Sequence, residues 1–264
     1  MPRSKAKPKA KARARMAPRA NTKAAPRAKA KAATRARAKA ARRTKTTTQR
    51  RARSKTARKA RSALTISKAA EALLAEFEVG GRAAYEERYS RPNTPHGYPG
   101  VMIAVAYDVG EHTVAGLRRD CKGILDDATI TRLEPACGVH GAEAEPLARG
   151  LQDIVITWEQ AVALARKAII PKWIGIVRKH LPNASELNPD SLGALVSLTF
   201  NRGPCFSSEG DRFREMRAIR QHMAKRAYQM IPNELRAMKR LWPTLEALQR
   251  RREREAELFE RGLA

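Results

Sequence analysis

Residues 64–78 read LTISKAAEALLAEFE, and the folded part of the chain begins with this stretch. Apolar side chains recur at a helical spacing, at Ile66, Ala69, Ala70, Leu73, Leu74 and Phe77. This spacing predicts an amphipathic helix that turns one face toward a core. Ser67 stands where a helix N-cap is expected, because its hydroxyl can accept a hydrogen bond from a backbone N–H of the first turn.

Composition changes abruptly on the N-terminal side of this helix, between Ala63 and Leu64. Residues 1–62 contain 25 Lys or Arg, no Asp or Glu, and no Phe, Trp, Tyr, Leu, Ile or Val. Such a segment cannot bury enough apolar surface to offset the entropy of ordering. We therefore expect a disordered Lys/Arg/Ala-rich tail over 1–62 and a folded domain over 63–264. The domain carries 29 basic and 26 acidic residues, so the tail accounts for most of the net charge of +28.

The tail has the chemistry of a polycation. It is predicted to bind a dense polyanion with little sequence preference and with a strong dependence on salt. DNA, lipopolysaccharide, teichoic acid and anionic lipid headgroups are the candidate ligands, and a solvated linker is the alternative. No aromatic side chain is present in 1–62 to stack on bases, which argues against single-strand recognition by that route.

Several classes of protein are disfavoured by the composition. No run of about 18 apolar residues is present, so we expect no transmembrane helix. The N-terminus lacks the apolar region of an ordinary secretory signal peptide. The three cysteines form no CxxC pair, so we expect neither a disulfide scaffold nor a structural zinc site. The five histidines show no metal-ligand spacing, and we expect no metal and no cofactor.

The stretch after the first helix predicts a small β region followed mainly by helices. Residues 101–110, VMIAVAYDVG, predict one short strand that ends at Gly110. Thr157 and Gln160 match a capping box, and Pro171 fits the first turn of a further helix. Residues 111–156 show no clear pattern.

The C-terminal third predicts a second set of helices. Residues 188–203, NPDSLGALVSLTFNRG, have Asn188 as the cap, Pro189 at the first helical position and Gly203 as the stop. Further helices are expected at about 211–229, 232–242 and 244–261. The sequence therefore predicts a mostly helical α+β domain with a small β region near its N-terminus.

Two carboxylates stand at the ends of predicted elements. Glu78 ends the first helix, and Asp108 lies near the end of the predicted strand. Glycoside hydrolysis uses two carboxyl groups in different environments, one kept protonated by an apolar setting and one kept ionised. Any single pair of carboxylates can equally be surface charge.

Four motifs, read in order, resemble those of the phage-type lysozymes, and most closely the pesticin-like branch of muramidases. They are EFEVGGRAAYEERY (76–89), GVMIAVAYDVG (100–110), GALVSLTFNRGPCF (193–206) and RRREREAELF (250–259). The resemblance covers nearly all of 64–260 and none of the tail. It implies a lysozyme-like two-lobed fold and hydrolysis of the β-1,4 bond between N-acetylmuramic acid and N-acetylglucosamine, with inversion at the anomeric carbon.

The resemblance also implies roles for single residues. Glu78 matches the general acid, and Glu76 is the neighbouring alternative, which points about 200° away on a helix. Asp108 matches the carboxylate that steers a water or stabilises positive charge on the sugar. Asn201 matches a residue that touches the sugar amides, and its alternative is a helix-terminal role. Arg251 matches an arginine near the catalytic Glu, and its alternative is a solvated helix face.

Tyr85 and Tyr107 could stack on sugar rings, although packing in a core is the commoner role for buried Tyr. Only Tyr107 is taken as a substrate-binding candidate.

Met102 is the main departure from the family pattern. It stands where the family has a Thr that is expected to hold the attacking water, and a thioether donates no hydrogen bond and accepts one only weakly. Ala104 and Ala106 replace two family glycines. Thr94 could substitute for the missing hydroxyl only if its loop folds inward.

Two functions from different classes follow from these observations. The first is a bacteriolytic peptidoglycan hydrolase that is synthesised in the cytoplasm. It would act at the bacterial cell wall after release, or be carried in a phage particle, with the tail on the anionic envelope or on nucleic acid. The second is a catalytically impaired lysozyme-fold protein that binds glycan or another protein while its tail holds DNA or an anionic surface. Met102 favours the second.

Overall fold

The computed structural model describes residues 65–95 and 100–264, and the predicted tail lies outside the described residues. The strands are β1 (Met102–Ile103) and β2 (Tyr107–Asp108). The helices are α1 (Lys68–Val79), α2 (Gly81–Arg88), α3 (Val114–Cys121), α4 (Asp127–Leu133), α5 (Ala144–Arg149), α6 (Trp158–Leu164), α7 (Ile170–His180), α8 (Pro189–Arg202), α9 (Arg214–Lys225), α10 (Ile231–Ala237) and α11 (Glu246–Arg261). The prediction of a mostly helical α+β chain with a small β region is confirmed for these residues.

The predicted helix caps are formed as the sequence indicated. The Ser67 hydroxyl accepts a hydrogen bond of 3.0 Å from the Ala70 N–H. Thr157 and Gln160 form both halves of the capping box at the start of α6. The Asn188 side chain accepts a bond of 2.9 Å from the Asp190 N–H at the start of α8. These local bonds satisfy N–H groups that have no partner within the helix.

Pro171 lies in the first turn of α7, as the sequence predicts, but the helix before it continues into α7. The chain does not break before α7, because a π-helical segment, Ala165–Ile169, joins α6 directly to α7. Pro171 has no N–H to donate to the preceding turn. The wider π turn accommodates this loss, and the Ile170 N–H donates to the Ala165 carbonyl, five residues back.

The single strand predicted over 101–110 is wrong, because this stretch is a hairpin. Ile103 pairs with Tyr107 and Met102 with Asp108 in an antiparallel ladder. The chain reverses through Ala104 and Ala106, which have φ angles of 54° and 58°. Alanine carries no turn signal, so an apolar run with this composition indicates a strand although the backbone turns within it.

Two apolar clusters fill the described part of the chain. The first contains Leu73 and Leu74 of α1 together with the buried faces of α7 through α11. The second extends from Val79 to Ile169 and includes the hairpin and α3 through α6. Residues 111–156, which gave no clear pattern, contribute three short helices to this second cluster. On α1, Glu78 therefore lies between Leu74, the last residue of this helix in the first cluster, and Val79, which belongs to the second.

Helix α8 is buried along most of its length, from Ser191 to Thr199. Gly193 allows α1 to approach it closely, since a Cβ placed on Gly193 would lie 2.1 Å from the Ala70 Cβ. The close crossing fixes α1, and with it Glu78, against the centre of the first cluster. No helix among the described residues combines the length and the apolar character that crossing a bilayer requires.

Candidate active site

Glu78 lies in the last turn of α1, just before the helix stops at Gly80. Gly80 has a φ of 75°, and its N–H donates back to the Glu76 carbonyl at 3.0 Å. This left-handed cap turns the chain away after Val79. The Glu78 side chain is only 9 % exposed, and its Oε1 lies 2.8 Å from Nη2 of Arg251 on α11. The structure thus brings together two of the residues that the family resemblance singled out.

Arg251 is held on several sides. Its side chain is 4 % exposed, and its guanidinium lies 5.4 Å from the centre of the Phe77 ring. Its Nη2 donates to the Ser197 carbonyl at 3.1 Å and its Nε to Glu255 Oε1 at 3.3 Å. A guanidinium fixed in this way holds the Glu78 carboxyl in one orientation.

A second arginine and a second glutamate complete this buried group. Glu255 and Arg252 are both fully buried, and Arg252 Nη2 donates to Glu255 Oε1 at 2.9 Å. Burial lowers the pKa of Arg252 to about 10. Glu255 Oε1 thus accepts from both guanidinium groups and offsets part of their charge, which a buried ionic cluster requires. The family resemblance assigns no role to Ser197, Glu255 or Arg252, although Glu255 stands four residues after Arg251, the spacing at which helical side chains meet.

Asn201 joins the edge of this group. It lies near the end of α8 and is exposed. Its Oδ1 accepts a hydrogen bond of 3.3 Å from Arg252 Nη2. The residue can therefore present a polar amide at the surface while it is anchored from below, and a role limited to capping α8 does not account for this contact.

A cavity of about 300 Å³ lies beside Glu78, between α1 and the continuous α6–π–α7 segment. Most of the lining side chains are apolar, including Leu74, Ala75, Val105, Val162, Ile169 and Phe200. Arg166 and Glu71 also line it, and they form a two-pronged ion pair with bonds of 2.6 Å and 3.0 Å. Glu78 is thus in contact with an apolar space. Asp108 is not one of the described residues that line this cavity, whereas Val105, from the tip of the same hairpin, is.

Asp108 is 9 % exposed at the end of β2, where it caps the short 3-10 turn Val109–Glu111. Its Oδ1 accepts a hydrogen bond of 2.9 Å from the Gly110 N–H. Burial raises the pKa of Asp108, and the Gly110 hydrogen bond opposes that rise. The carboxyl also lies against Gly100, where an added Cβ would be 2.2 Å from Oδ1. Asp108 therefore has a structural role as a cap, and its environment differs from that of Glu78.

Met102 faces Asp108 directly across the hairpin ladder. The flanking hydrogen bond runs from the Val109 N–H to the Val101 carbonyl at 2.9 Å, so Met102 and Asp108 form a non-hydrogen-bonded pair. In such pairs the Cα atoms are about 4.5 Å apart and the side chains share one face. Met102 is 5 % exposed. Met102, the position at which the resemblance implies a Thr, thus lies beside Asp108.

The loop that contains Thr94 does come alongside β1. Asn93 forms a bridge with Met102, with backbone hydrogen bonds of 2.7 Å and 3.0 Å. Thr94, the next residue, is half-buried. Directly opposed residues share a face of a ladder, so Asn93 is the residue of this loop on the face of Met102 and Asp108, while residues 96–99 lie outside the described residues.

The two tyrosines considered for sugar stacking are both fully buried. The Tyr85 hydroxyl donates to the Ile156 carbonyl at 2.9 Å. The Tyr107 hydroxyl donates to Asp120 Oδ2 at 3.3 Å, and burial is the main cause of the raised pKa of Tyr107. A ring enclosed on both faces has no surface to offer a sugar. Tyr107 is therefore a packing residue in this conformation, not a substrate-stacking one.

In comparisons with known proteins, no protein-family model and no curated protein matches the chain. Among residues 65–95 and 100–264, no group of three or more His, Cys, Asp or Glu side chains is arranged to hold a metal ion.

Proposed function

We propose that the chain is a peptidoglycan hydrolase of the muramidase type, with Glu78 as the general acid and Asp108 as the partner carboxylate. The observation that carries the proposal is the setting of Glu78. It is a nearly buried carboxyl group at a helix end, in contact with an apolar cavity and oriented by a fixed arginine. A carboxyl group that must deliver a proton to a glycosidic oxygen needs a dry and oriented setting of this kind.

The different surroundings of the two carboxyl groups support the same proposal. Glu78 contacts apolar side chains and Arg251, whereas Asp108 accepts a backbone N–H and stands on a hairpin. Glycosidases of this class divide proton donation and water activation between two such groups. We further propose that the two apolar clusters are the two lobes of a lysozyme-like fold, with Glu78 at the junction between them.

The test uses the full chain on purified peptidoglycan sacculi in high salt, which suppresses binding through the tail. We expect wild type to release soluble muropeptides, identified by mass spectrometry. Glu78→Gln should lower the rate at least about a hundredfold, since general acid catalysis contributes that much or more. Glu76→Gln is the matched control. Glu76 is two residues away and 40 % exposed, and it lies 3.6 Å from Arg254, so its loss should leave the rate within about twofold.

Three results would each contradict the proposal or a part of it. Wild type that is inert on sacculi of several wall types would contradict the proposal as a whole. Equal activity of wild type and Glu78→Gln would remove Glu78 from the mechanism. An Asp108→Asn variant with unchanged activity would limit Asp108 to its role as the cap of the 3-10 turn.

Met102 supports a second candidate, a protein that binds the glycan without cutting it. The side chain beside Asp108 offers no hydroxyl to hold a water. In that case wild type should sediment with sacculi without releasing muropeptides, and Met102→Thr should restore hydrolysis. An active wild type whose rate equals that of Met102→Thr would instead mean that another group positions the water.

For the tail we propose binding to a polyanion, either an anionic cell envelope or DNA, on the strength of its 25 basic and no acidic residues. The apparent affinity for duplex DNA or lipopolysaccharide should fall steeply between about 50 and 200 mM salt. Affinity that does not change with salt would contradict this. Action at the bacterial cell wall after release, or from within a phage particle, belongs to the same proposal.

A further inference from the structure

Tyr107 and His112, which stand before and after Asp108 in the sequence, have stacked rings. Their ring centroids are 4.3 Å apart and their planes differ by 7°. Tyr107 directly precedes Asp108 in β2, and His112 closes the 3-10 turn that Asp108 caps, with its N–H donating to the Val109 carbonyl at 3.0 Å. The stacked rings therefore join the two ends of the short segment that carries Asp108.

Asp120, on α3, ties this pair to the rest of the fold. Its Oδ2 accepts the Tyr107 hydroxyl hydrogen at 3.3 Å and lies 3.8 Å from His112 Nδ1. Its Oδ1 accepts a hydrogen bond of 3.0 Å from Arg119. Asp120 is 8 % exposed, so these bonds form in a setting where water competes little.

The position of the Asp108 carboxyl group leaves little room for movement of β2. Gly110 donates to it from one side, and Gly100 approaches so closely that a Cβ at that position would overlap Oδ1. A small shift of β2 would break the Gly110 bond or press the carboxyl group against Gly100. Tyr107 and Asp108 are the two residues of β2, so contacts that hold the Tyr107 side chain in place also restrict the position of Asp108.

We propose that Tyr107, stacked on His112 and hydrogen-bonded to Asp120, is a positioning residue for Asp108. The inference rests on the proposed function, in which Asp108 is the partner carboxylate. Tyr85 shows the contrast. It is an equally buried tyrosine of the same apolar cluster, but its hydroxyl donates to the backbone carbonyl of Ile156, which is not part of the Asp108 turn.

The test compares Tyr107→Phe with the matched variant Tyr85→Phe in the full chain. Each change removes one buried hydroxyl group and keeps the ring. On solubilised uncross-linked glycan strands we expect Tyr107→Phe to lower kcat about tenfold with KM within twofold. A misplaced carboxylate weakens the transition state and not substrate binding. Tyr85→Phe should leave kcat within twofold, although it also loses a buried hydrogen bond.

A second measurement does not depend on catalysis. Hydrogen exchange of the Gly110 amide reports the bond to Asp108, and it should be about tenfold faster in Tyr107→Phe and unchanged in Tyr85→Phe. If Tyr107→Phe does not fold, Asp120→Ala removes the same anchor and should give the same two changes. If wild type hydrolyses nothing, the proposed function fails and the exchange measurement alone decides the inference.

Unchanged Gly110 exchange in the variant that lacks the anchor would overturn the inference, with or without a loss of kcat. Equal losses of kcat in Tyr107→Phe and Tyr85→Phe would also overturn it, because the effect would then be general destabilisation of the cluster.

Discussion

Replacing Ala104 and Ala106 with glycine should stabilise the protein. Both residues have positive φ angles, 54° and 58°, at the turn of the hairpin. A left-handed conformation costs a residue with a Cβ about 1–2 kcal/mol. Glycine removes this strain but loses about 0.5–1 kcal/mol more than alanine in backbone entropy on folding. The net gain is about 0.5–1 kcal/mol at Ala106. At Ala104 the net change is close to zero, because the methyl group lost there is buried and its burial is worth about 0.8 kcal/mol. For a folded unit of about 200 residues, the double variant should raise Tm by about 1–4 °C.

The assay is thermal unfolding of the full chain followed by circular dichroism, with Ala218→Gly as the matched control. Ala218 lies in the middle of α9 and is half-buried, so glycine there should cost about 1 kcal/mol of stability. If both hairpin variants lower Tm as the control does, the two alanines are not in the left-handed region and the hairpin register is wrong. The reasoning would then fail at the element that carries Asp108.

Three further predictions test other parts of the structure. Gly193→Ala should destabilise the fold by about 1–3 kcal/mol by overlap with Ala70. The control is Gly175→Ala in α7, which should instead stabilise the fold by about 1 kcal/mol because nothing lies within 4 Å of the added Cβ. Equal shifts in Tm for the two variants would contradict the close approach of α1 and α8 at Gly193. Arg251→Met breaks a buried ion pair and should cost about 3–5 kcal/mol in urea unfolding. Burial lowers the pKa of His112 below its usual 6.5. The unfolded chain then takes up the proton first, so stability falls as pH drops below about 6.5, and His112→Gln should flatten that slope in Tm measured from pH 7.5 to 5.

The helices could be predicted from the sequence because their signals are local. The Ser67 and Asn188 caps and the Thr157 capping box each depend on side chains within three residues of the groups they bind. Pro171 does mark the first turn of α7, but the π segment before it has no local signal, because a proline removes one donor without fixing how the preceding helix responds. The hairpin was missed for a related reason: a turn built on Ala104 and Ala106 depends on tertiary contacts that overcome the preference of alanine.

The site could be predicted only in part. Glu78, Asp108 and Arg251 were found because they stand in motifs that resemble those of a known family. Ser197 and Glu255 stand in two of the same motifs, but the resemblance assigns them no role, and a buried serine and a glutamate in a charged run have no distinguishing pattern of their own. Tyr107 was assigned to the substrate because its enclosure by α3 and His112 depends on long-range packing.

The two carboxyl groups proposed for catalysis are held by different parts of the fold. Glu78 is oriented by Arg251, which is fixed by α8 and α11 in the first apolar cluster. Asp108 is fixed by its own turn in the second cluster. The geometry between them therefore depends on how the clusters pack along α1 and the α6–π–α7 segment. The π turn replaces a regular helix in that second connection, and it adjoins the apolar cavity next to Glu78. A helix with one irregular turn can bend there at low cost, so changes at Ala165–Ile169 should alter the spacing of the carboxyl groups without touching either one.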